Sequence, residues 1–344
     1  MWQFNIPREV IDAYANLSSP KNINPIEKGL INKTFLVDTE NGRYILQEVS
    51  PIFDEGIHFD SVAICQYLTQ FNIATPAIRM NRFGDLFFNH QGRIFRALTY
   101  VRGESFHQIN SLPMAQEAGR VLGQFHKSLV DFSYQYRSQR RHKGDYPFHV
   151  DNLKAALKSH EDHDFYVQVK PLAEKMIEQM AALSLGLHTT PRHAHGDPKI
   201  SNILFDGDQA VCLIDFDTLG YSGWSLEMGD ALRSWANPHQ EDVLDAVVDL
   251  RIAENALSGY GREMHGLFSP AEKAELVLHT QAVSLCLAIR YLTDVLNENY
   301  FGFARDRFSR AAEHHWLRAQ AMFNLFQEFS RNKKILMEMT ESLI

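Results

Sequence analysis

The sequence predicts an α+β chain in two parts, a strand-rich segment over residues 1–103 and a mainly helical one over 104–344. Three observations carry that expectation. Short apolar runs separated by turn residues fill the first hundred positions, apolar residues at helical spacing dominate after Arg102-Gly103-Glu104, and a single strand-like interruption, Ser201 to Asp217, breaks the helical half.

In the first part, Phe35-Leu36-Val37-Asp38 and Arg43 to Val49 flank Asn41-Gly42. Both turn residues tolerate a positive φ, so the spacing predicts a hairpin. Phe59 to Phe71 places Val62, Ile64, Cys65 and Leu68 at helical spacing. Two more strands are expected, around Asp85-Leu86-Phe87-Phe88 and over Ile94 to Tyr100, with a turn at Gln91-Gly92 between them. The expectation is a five-stranded antiparallel sheet with one helix.

In the second part, Met114 to Leu129 carries an apolar stripe at Ala118, Val121, Leu122 and Phe125. Tyr134 to Pro147, with Arg137, Arg140, Arg141 and Lys143, reads as a solvated basic loop. Longer helical patterns run over Phe165–Leu183, Pro270–Leu296 and Arg307–Phe329.

Composition narrows the classes of function. With 34 Lys plus Arg against 42 Asp plus Glu, the net charge is -8, which offers no basic footprint for nucleic acid. Cys65, Cys212 and Cys286 are far apart and show no CxxC, so neither a disulfide framework nor a structural zinc site is expected. Met1-Trp2-Gln3-Phe4-Asn5 lacks the layout of a signal peptide, and no uninterrupted apolar run reaches membrane-spanning length. A cytoplasmic protein without membrane partners is expected.

The interruption holds the polar residues that matter. His195-Gly196-Asp197-Pro198-Lys199-Ile200-Ser201-Asn202 precedes the apolar run Ile203-Leu204-Phe205, and Val211-Cys212-Leu213-Ile214 leads to Asp215-Phe216-Asp217. Asp206-Gly207-Asp208-Gln209 joins the two runs as a hairpin turn. Phosphoryl transfer needs a carboxylate to orient the attacking hydroxyl, oxygen ligands for magnesium, and positive charge at the phosphates. Asp197 suits the first task, Asn202 and Asp215 the second, and Lys199 the third. The order His195, Asp197, Asn202, Asp215 is that of the protein-kinase template, in which Asn follows the catalytic Asp by five residues. Taken singly, each is an ordinary turn or cap residue. Together, in order around one hairpin, they point to an ATP- and magnesium-dependent kinase for a small molecule.

These residues resemble the aminoglycoside phosphotransferase and choline kinase superfamily, with its His-Gly-Asp, Asn and Ile-Asp-Phe/Trp-Asp/Glu signature. A nearer likeness, to the N-acetylhexosamine 1-kinases, runs across nearly the whole chain. It covers Gly29 to Phe35, Tyr44-Ile45-Leu46-Gln47, Asp197 to Asn202, Ile214 to Thr218, Gly229 to Arg233, Arg290 to Leu296, and Tyr300-Phe301. The resemblance implies a bilobal protein-kinase-like fold and transfer of the γ-phosphate of ATP to the anomeric hydroxyl of an N-acetylhexosamine, with Mg2+ as the metal. It implies Asp197 as base with Lys199 beside it, and Asn202 and Asp215 as metal ligands. The nucleotide would be bound by Gly29, Asn32, Lys33 and Gln47, with the adenine against backbone groups near Thr99 and Val101. Asp217, Thr218, Arg233, Arg290 and Tyr300 would line the sugar. Arg233 and Arg290 have a second reading, as structural ion pairs with Asp230 and Asp294 respectively.

Two features keep other readings open. Gln47 stands where kinases carry a third-strand lysine, so a nucleotide-binding pseudokinase is one alternative, and Lys33, Arg43 and the magnesium ions are candidates to supply the missing charge. Glu227, Asp230, Asp294 and Glu298 are available to a cationic acceptor, so an aminoglycoside, amino alcohol or homoserine-like amino acid is another. The choice of sugar and the oligomeric state are not written in the residues.

Overall fold

The computed structural model describes residues 6–26, 31–138, 144–183, 185–186 and 190–344. Gly29 of the expected nucleotide loop, Arg140, Arg141 and Lys143 of the basic run, and Met1–Asn5 lie outside the described residues. The chain forms two compact units. The first comprises Met1–Gly103, Asp131–Gln139 and Cys212–Gly220, and the second comprises Glu104–Val130, Arg140–Val211 and Tyr221–Ile344.

The first unit opens with helix α1 (Arg8–Asp12), followed by strands β1 (Asn22–Ile26), β2 (Lys33–Thr39) and β3 (Gly42–Val49), helix α2 (Gly56–Leu68), and strands β4 (Ile78–Arg79), β5 (Phe88–His90) and β6 (Arg93–Thr99). They make one sheet in the order β1-β2-β3-β6-β4, with β5 also paired to β6. The expected β2–β3 hairpin is present, with its turn at Glu40-Asn41, one residue before the expected Asn41-Gly42; Gly42, at φ 131°, opens β3 opposite Thr39. The sheet has six strands rather than five. The expected strand at Asp85–Phe88 begins only at Phe88, because Asn81 captures the backbone before it: its Oδ1 accepts from the N–H groups of Phe83 and Asp85, and its Nδ2 donates to the Phe87 carbonyl. A core of Val10, Tyr14, Leu17, Phe35, Val37, Leu46 and Phe95 lies under the sheet. Each large apolar side chain buried there contributes roughly 1.5–3 kcal/mol. The Tyr14 hydroxyl donates to the Phe95 carbonyl at 2.8 Å, so its polar end is satisfied inside that core.

Residues 134–138, read from sequence as part of a solvated loop, form a loop with Gln135 and Arg137 exposed, and it is also tied down. Buried Asp60 of α2 accepts from the Tyr134 hydroxyl at 2.8 Å and from the N–H groups of Arg137 and Ser138 at 2.9 Å each.

The second unit begins with strand β7 (Glu104–Ser105) and helices α3 (Leu112–Ser128), α4 (Tyr146–Ser159) and α5 (Tyr166–Ala182). Strands β8 (Arg192–Ala194), β9 (Ile203–Asp206), β10 (Gln209–Leu213) and β11 (Gly220–Ser222) follow, then helices α6 (Trp224–Trp235), α7 (Leu250–Met264), α8 (Pro270–Asn297), α9 (Ala311–Arg331) and α10 (Lys333–Leu343). The final two residues of β10 and the first of β11 belong to the first unit. Strand β9 lies between β10 and β7. Helices α3 and α7 approach backbone to backbone: a Cβ at Gly259 would lie 1.9 Å from the Gln116 carbonyl oxygen, so no larger residue fits there. A capping box of Ser269 and Glu272 starts α8. That helix is long and apolar enough to cross a membrane, yet 72% of its most apolar window is buried, as in the core helix of a globular unit. The three cysteines are buried free thiols.

Candidate active site

In the second unit, the segment after β8 is fixed before its carboxylate is presented. Gly196 has φ 90°, a conformation that disfavours a Cβ, and its N–H donates to Oε1 of fully buried Glu227 at 2.9 Å. His195, also fully buried and edge-on to Phe125, accepts the Asp197 N–H at Nδ1, 3.3 Å away. Its position suits orientation of the loop rather than proton transfer.

Asp197 Oδ2 then accepts from Lys199 Nζ at 2.7 Å and from Asn202 Nδ2 at 3.1 Å. Asn202 Nδ2 also donates to the Asp197 backbone carbonyl at 2.8 Å. Asn202 spends its amide N–H groups on Asp197, which orients its Oδ1, a hard oxygen of the kind magnesium prefers, for a cation. The structure thus brings together Asp197, Lys199 and Asn202.

The hairpin that follows is braced from α3. Glu117 accepts the Ala210 N–H, Arg120 donates to the Ala210 carbonyl, and the Ser111 hydroxyl donates to Asp208 in the turn. Arg120 holds the Glu117 carboxyl below its usual range through a paired hydrogen bond.

In the first unit, Asp215 follows β10 with φ 68° and ψ 63°. A non-glycine residue in the left-handed region stores strain that Asp and Asn bear better than most, and such strain concentrates at functional positions. The next residues, Phe216–Thr218, make one 3-10 turn that leads to buried Asp217. Asp217 is the centre of a buried network. Arg96 Nη1 reaches its Oδ1 at 2.5 Å and Nη2 its Oδ2 at 2.8 Å, and Asn32 Nδ2 donates to Oδ2 at 2.7 Å. Arg96 also donates to Gln47 Oε1, from Nε at 2.9 Å and from Nη2 at 2.7 Å. Gln47 Nε2 in turn donates to the Thr34 hydroxyl, and Asn32 Oδ1 accepts the Ser50 N–H. Asn32, Gln47 and Asp217 are therefore joined through Arg96, a residue not singled out in the sequence. Its one signal there is a charge inside the apolar run Ile94-Phe95-Arg96-Ala97-Leu98. Burial, with Arg96 adding to it, pushes nearby His58 down to about 4, so that ring is neutral at physiological pH.

The other sequence candidates fall as follows. Lys33 is exposed and ion-paired with Glu48 at 3.3 Å, and Arg43 is paired with Asp38 and stacked on Tyr100. Thr99 closes β6, where its N–H donates to the Ala77 carbonyl and its hydroxyl accepts the Ala77 N–H. Val101 follows outside any regular element and is half-buried, and Thr218 ends the 3-10 turn.

Arg233 is committed to Asp230 at 2.8 Å and to Glu241 at 3.2 Å. Burial opposes ionisation of Glu241, but Arg233 and Arg318 outweigh it and hold its carboxyl at about 2. Tyr291 donates to the same carboxylate at 2.5 Å. Arg290 and Tyr300 come together: Arg290 Nη2 donates to the Tyr300 hydroxyl at 3.2 Å, and its guanidinium lies over the Tyr300 and Phe301 rings. Asp294 accepts from the N–H groups of Asn299, Tyr300 and Phe301 and lies 3.3 Å from His315, so it caps the turn that carries Tyr300.

Residues 22–263 match the phosphotransferase enzyme family, APH. A homoserine kinase from Polaromonas naphthalenivorans is 22% identical over 236 residues, covering 67% of this chain and 71% of that one. Among solved structures, an aminoglycoside phosphotransferase from Alicyclobacillus acidocaldarius superposes with a TM-score of 0.64 at 12% identity, over 97% of this chain and 98% of that one. The amicoumacin kinase hAmiN, in complex with AMP-PNP, Ca2+ and its ligand, superposes with a TM-score of 0.63 at 14% identity, over 93% and 91%. The shared fold is that of small-molecule kinases.

Proposed function

This chain belongs to the phosphotransferase enzyme family, and from that premise we propose that it transfers the γ-phosphoryl group of ATP to the anomeric hydroxyl of an N-acetylhexosamine. Asp197 orients the attacking hydroxyl and takes its proton, and Lys199 sets a positive charge beside that carboxylate and the transferring phosphoryl group. Asn202 and Asp215 are hard oxygen donors that suit Mg2+, which when bound neutralises charge on the nucleotide phosphates. Asn32 and Gln47, with the nearby Lys33, belong to the nucleotide side together with the backbone of Thr99 and Val101. Gly29 is assigned there by resemblance alone. Arg290 and Tyr300 serve the sugar. Arg233, Asp217 and Thr218 are assigned to the sugar side by resemblance alone; Arg233 is held by Asp230 and Glu241, and Asp217 by Arg96 and Asn32.

The observation that carries this acceptor over a cationic one is the state of the four carboxylates open to an amine. Glu227 accepts the Gly196 N–H inside the core, Asp230 holds Arg233, Asp294 caps the 299–301 turn, and Glu298 is paired with Arg310. An ammonium ion would have to share a carboxylate with these partners, whereas neutral hydroxyls are well served by a guanidinium and a phenol. A second reading has a specific observation in its favour: the homoserine kinase likeness points to an amino-acid alcohol, whose carboxylate Arg290 would suit equally well.

The test is ADP release from Mg-ATP with free N-acetylhexosamines, their methyl glycosides, homoserine, amino alcohols and aminoglycosides. N-acetylhexosamines should respond and their methyl glycosides, blocked at the anomeric oxygen, should not. A response confined to homoserine or amines transfers the assignment to the second reading. No ADP release with any acceptor would favour the pseudokinase.

A further inference from the structure

In protein kinases a third-strand lysine pairs with an acid of the following helix, and that ion pair must be in place for nucleotide and metal to be held correctly. Here both partners have other work. The third-strand position is Gln47, and the acid of α2, Asp60, binds Tyr134 and the N–H groups of Arg137 and Ser138. Within the same unit a different buried pair stands in its place. Arg96 is 3% exposed and Asp217 1% exposed at their side chains, and the two are joined by two hydrogen bonds.

We infer that the Arg96–Asp217 pair replaces the kinase lysine–glutamate pair, and that Arg96 is the positioning residue through which Asn32, Gln47 and the metal-binding segment at Asp215 are held in register. The inference rests on the kinase reading given above. Three features of the geometry support it. Arg96 lies directly opposite Gln47 in the β3–β6 register, so its guanidinium occupies the space a lysine at 47 would enter. Its fork binds both oxygens of Asp217, two residues after Asp215, which fixes the 3-10 turn that leaves the strained backbone of Asp215. Asp217 also holds Asn32, the residue that precedes β2, so one guanidinium links the strand, the loop before it and the metal segment. Lys33 and Arg43 are poorly placed to substitute, since each is an exposed cation already paired, with Glu48 and Asp38 respectively.

The consequence for Gln47 runs against intuition. Restoring the kinase lysine by Gln47→Lys alone would press an ammonium against Arg96, two like charges with one carboxylate between them. In an Arg96→Met background the same lysine reaches Asp217 and takes over the pairing.

The experiment measures binding of a fluorescent ATP analogue across a magnesium titration, with thermal unfolding alongside, for wild type, Arg96→Lys, Arg96→Met, Gln47→Lys and Gln47→Lys/Arg96→Met. Removing support from a metal ligand typically costs about 10–100-fold in metal affinity. Arg96→Lys should therefore raise the magnesium concentration at half-saturation at least about tenfold. Gln47→Lys should also bind worse than wild type, and the double variant should return to within about threefold of it. Fold stability alone does not move a magnesium midpoint measured on folded protein, so the titration separates positioning from scaffolding. The inference is overturned if Arg96→Lys keeps the wild-type magnesium midpoint, if Gln47→Lys improves binding, or if a folded double variant gains nothing over Arg96→Lys. Should Arg96→Met not fold, the Arg96→Lys and double variants decide the matter alone. Wild-type protein that fails to bind magnesium nucleotide overturns the kinase reading, and this inference with it.

Discussion

Asp197→Asn isolates chemistry from folding better than any other substitution in the site. The replacement keeps the shape and an acceptor oxygen, so Lys199 and Asn202 retain a partner at the distances of 2.7 and 3.1 Å seen here. What is lost is the negative charge. The Asp197 and Lys199 side chains are 26% and 37% exposed, so their pairing is screened and worth at most about 1 kcal/mol of stability. In a unit of this size that moves Tm by roughly 2–4 °C. Loss of a general base, by contrast, lowers turnover about a hundredfold, which corresponds to ~2.7 kcal/mol on the barrier. The two effects differ enough to be read separately. The assay is steady-state ADP release at saturating acceptor, with nucleotide binding and thermal unfolding measured on the same preparation. Near-native binding and Tm with kcat down about a hundredfold is the expected result. A kcat within about threefold of wild type would refute the assignment, because no other described carboxylate is joined to both Lys199 and Asn202.

Two further outcomes follow from the same structure. Asp215→Asn preserves tolerance for the left-handed backbone at φ 68° while removing the ligand charge, so magnesium-nucleotide affinity should fall about tenfold or more with little change in Tm, as a magnesium titration of nucleotide binding will read. Glu241 carries one acid-sensitive contribution in the second unit, alongside Glu298, which Arg310 also holds at about 2. The Glu241 carboxyl is depressed from 4.5 to about 2, so the stability it adds is fully present above about pH 4.5 and is lost as pH falls towards 2. Glu241→Gln should remove that part of the acid transition and destabilise the protein by about 2 kcal/mol at neutral pH, because a 37% exposed carboxylate is worth less than a fully buried partner. An unchanged acid midpoint on thermal or urea unfolding would count against this.

The run proposed to be catalytic stands out because its residues are local in sequence. His195 through Asn202 occupies eight consecutive positions, and the β9–β10 hairpin follows from two apolar runs around Gly207. Helix α8 was legible from its period over Pro270–Leu296, whereas the capping box of Ser269 and Glu272 that starts it is seen only in the structure. Residues that act across the fold were not. Arg96 is 49 residues from Gln47 and 121 from Asp217, and only the β3–β6 register reveals what it touches. Asp60 reads as an ordinary polar position of an amphipathic helix until its partners 74 to 78 residues away are known. Glu241 and Arg318, 77 residues apart, show the same limit. In each case the sequence displays a charged residue but not the distant partner, an opposite charge or a set of hydrogen-bond donors, that satisfies it.

Arg290 is where the two acceptor readings part, and its loss is informative about both. Its guanidinium rests on two aromatic rings and donates to the Tyr300 hydroxyl, while neighbouring Asp294 is occupied by three backbone N–H groups. It therefore has capacity for an acceptor molecule without breaking a buried ion pair. If the acceptor is a neutral sugar, Arg290→Ala removes a charge-assisted hydrogen bond of about 1.5–3 kcal/mol, and kcat/KM falls roughly tenfold to about 150-fold. That loss should be insensitive to ionic strength, because a neutral ligand carries no charge for salt to screen. If the acceptor is a homoserine-like zwitterion, its carboxylate loses its counterion, the fall is larger, and wild-type KM rises with salt while that of Arg290→Ala does not. Steady-state kinetics of both proteins over a range of salt concentrations thus distinguishes a hydroxyl contact from a carboxylate contact. A change confined to nucleotide affinity would remove Arg290 from the acceptor altogether and leave its stacking on Tyr300 and Phe301 as its role.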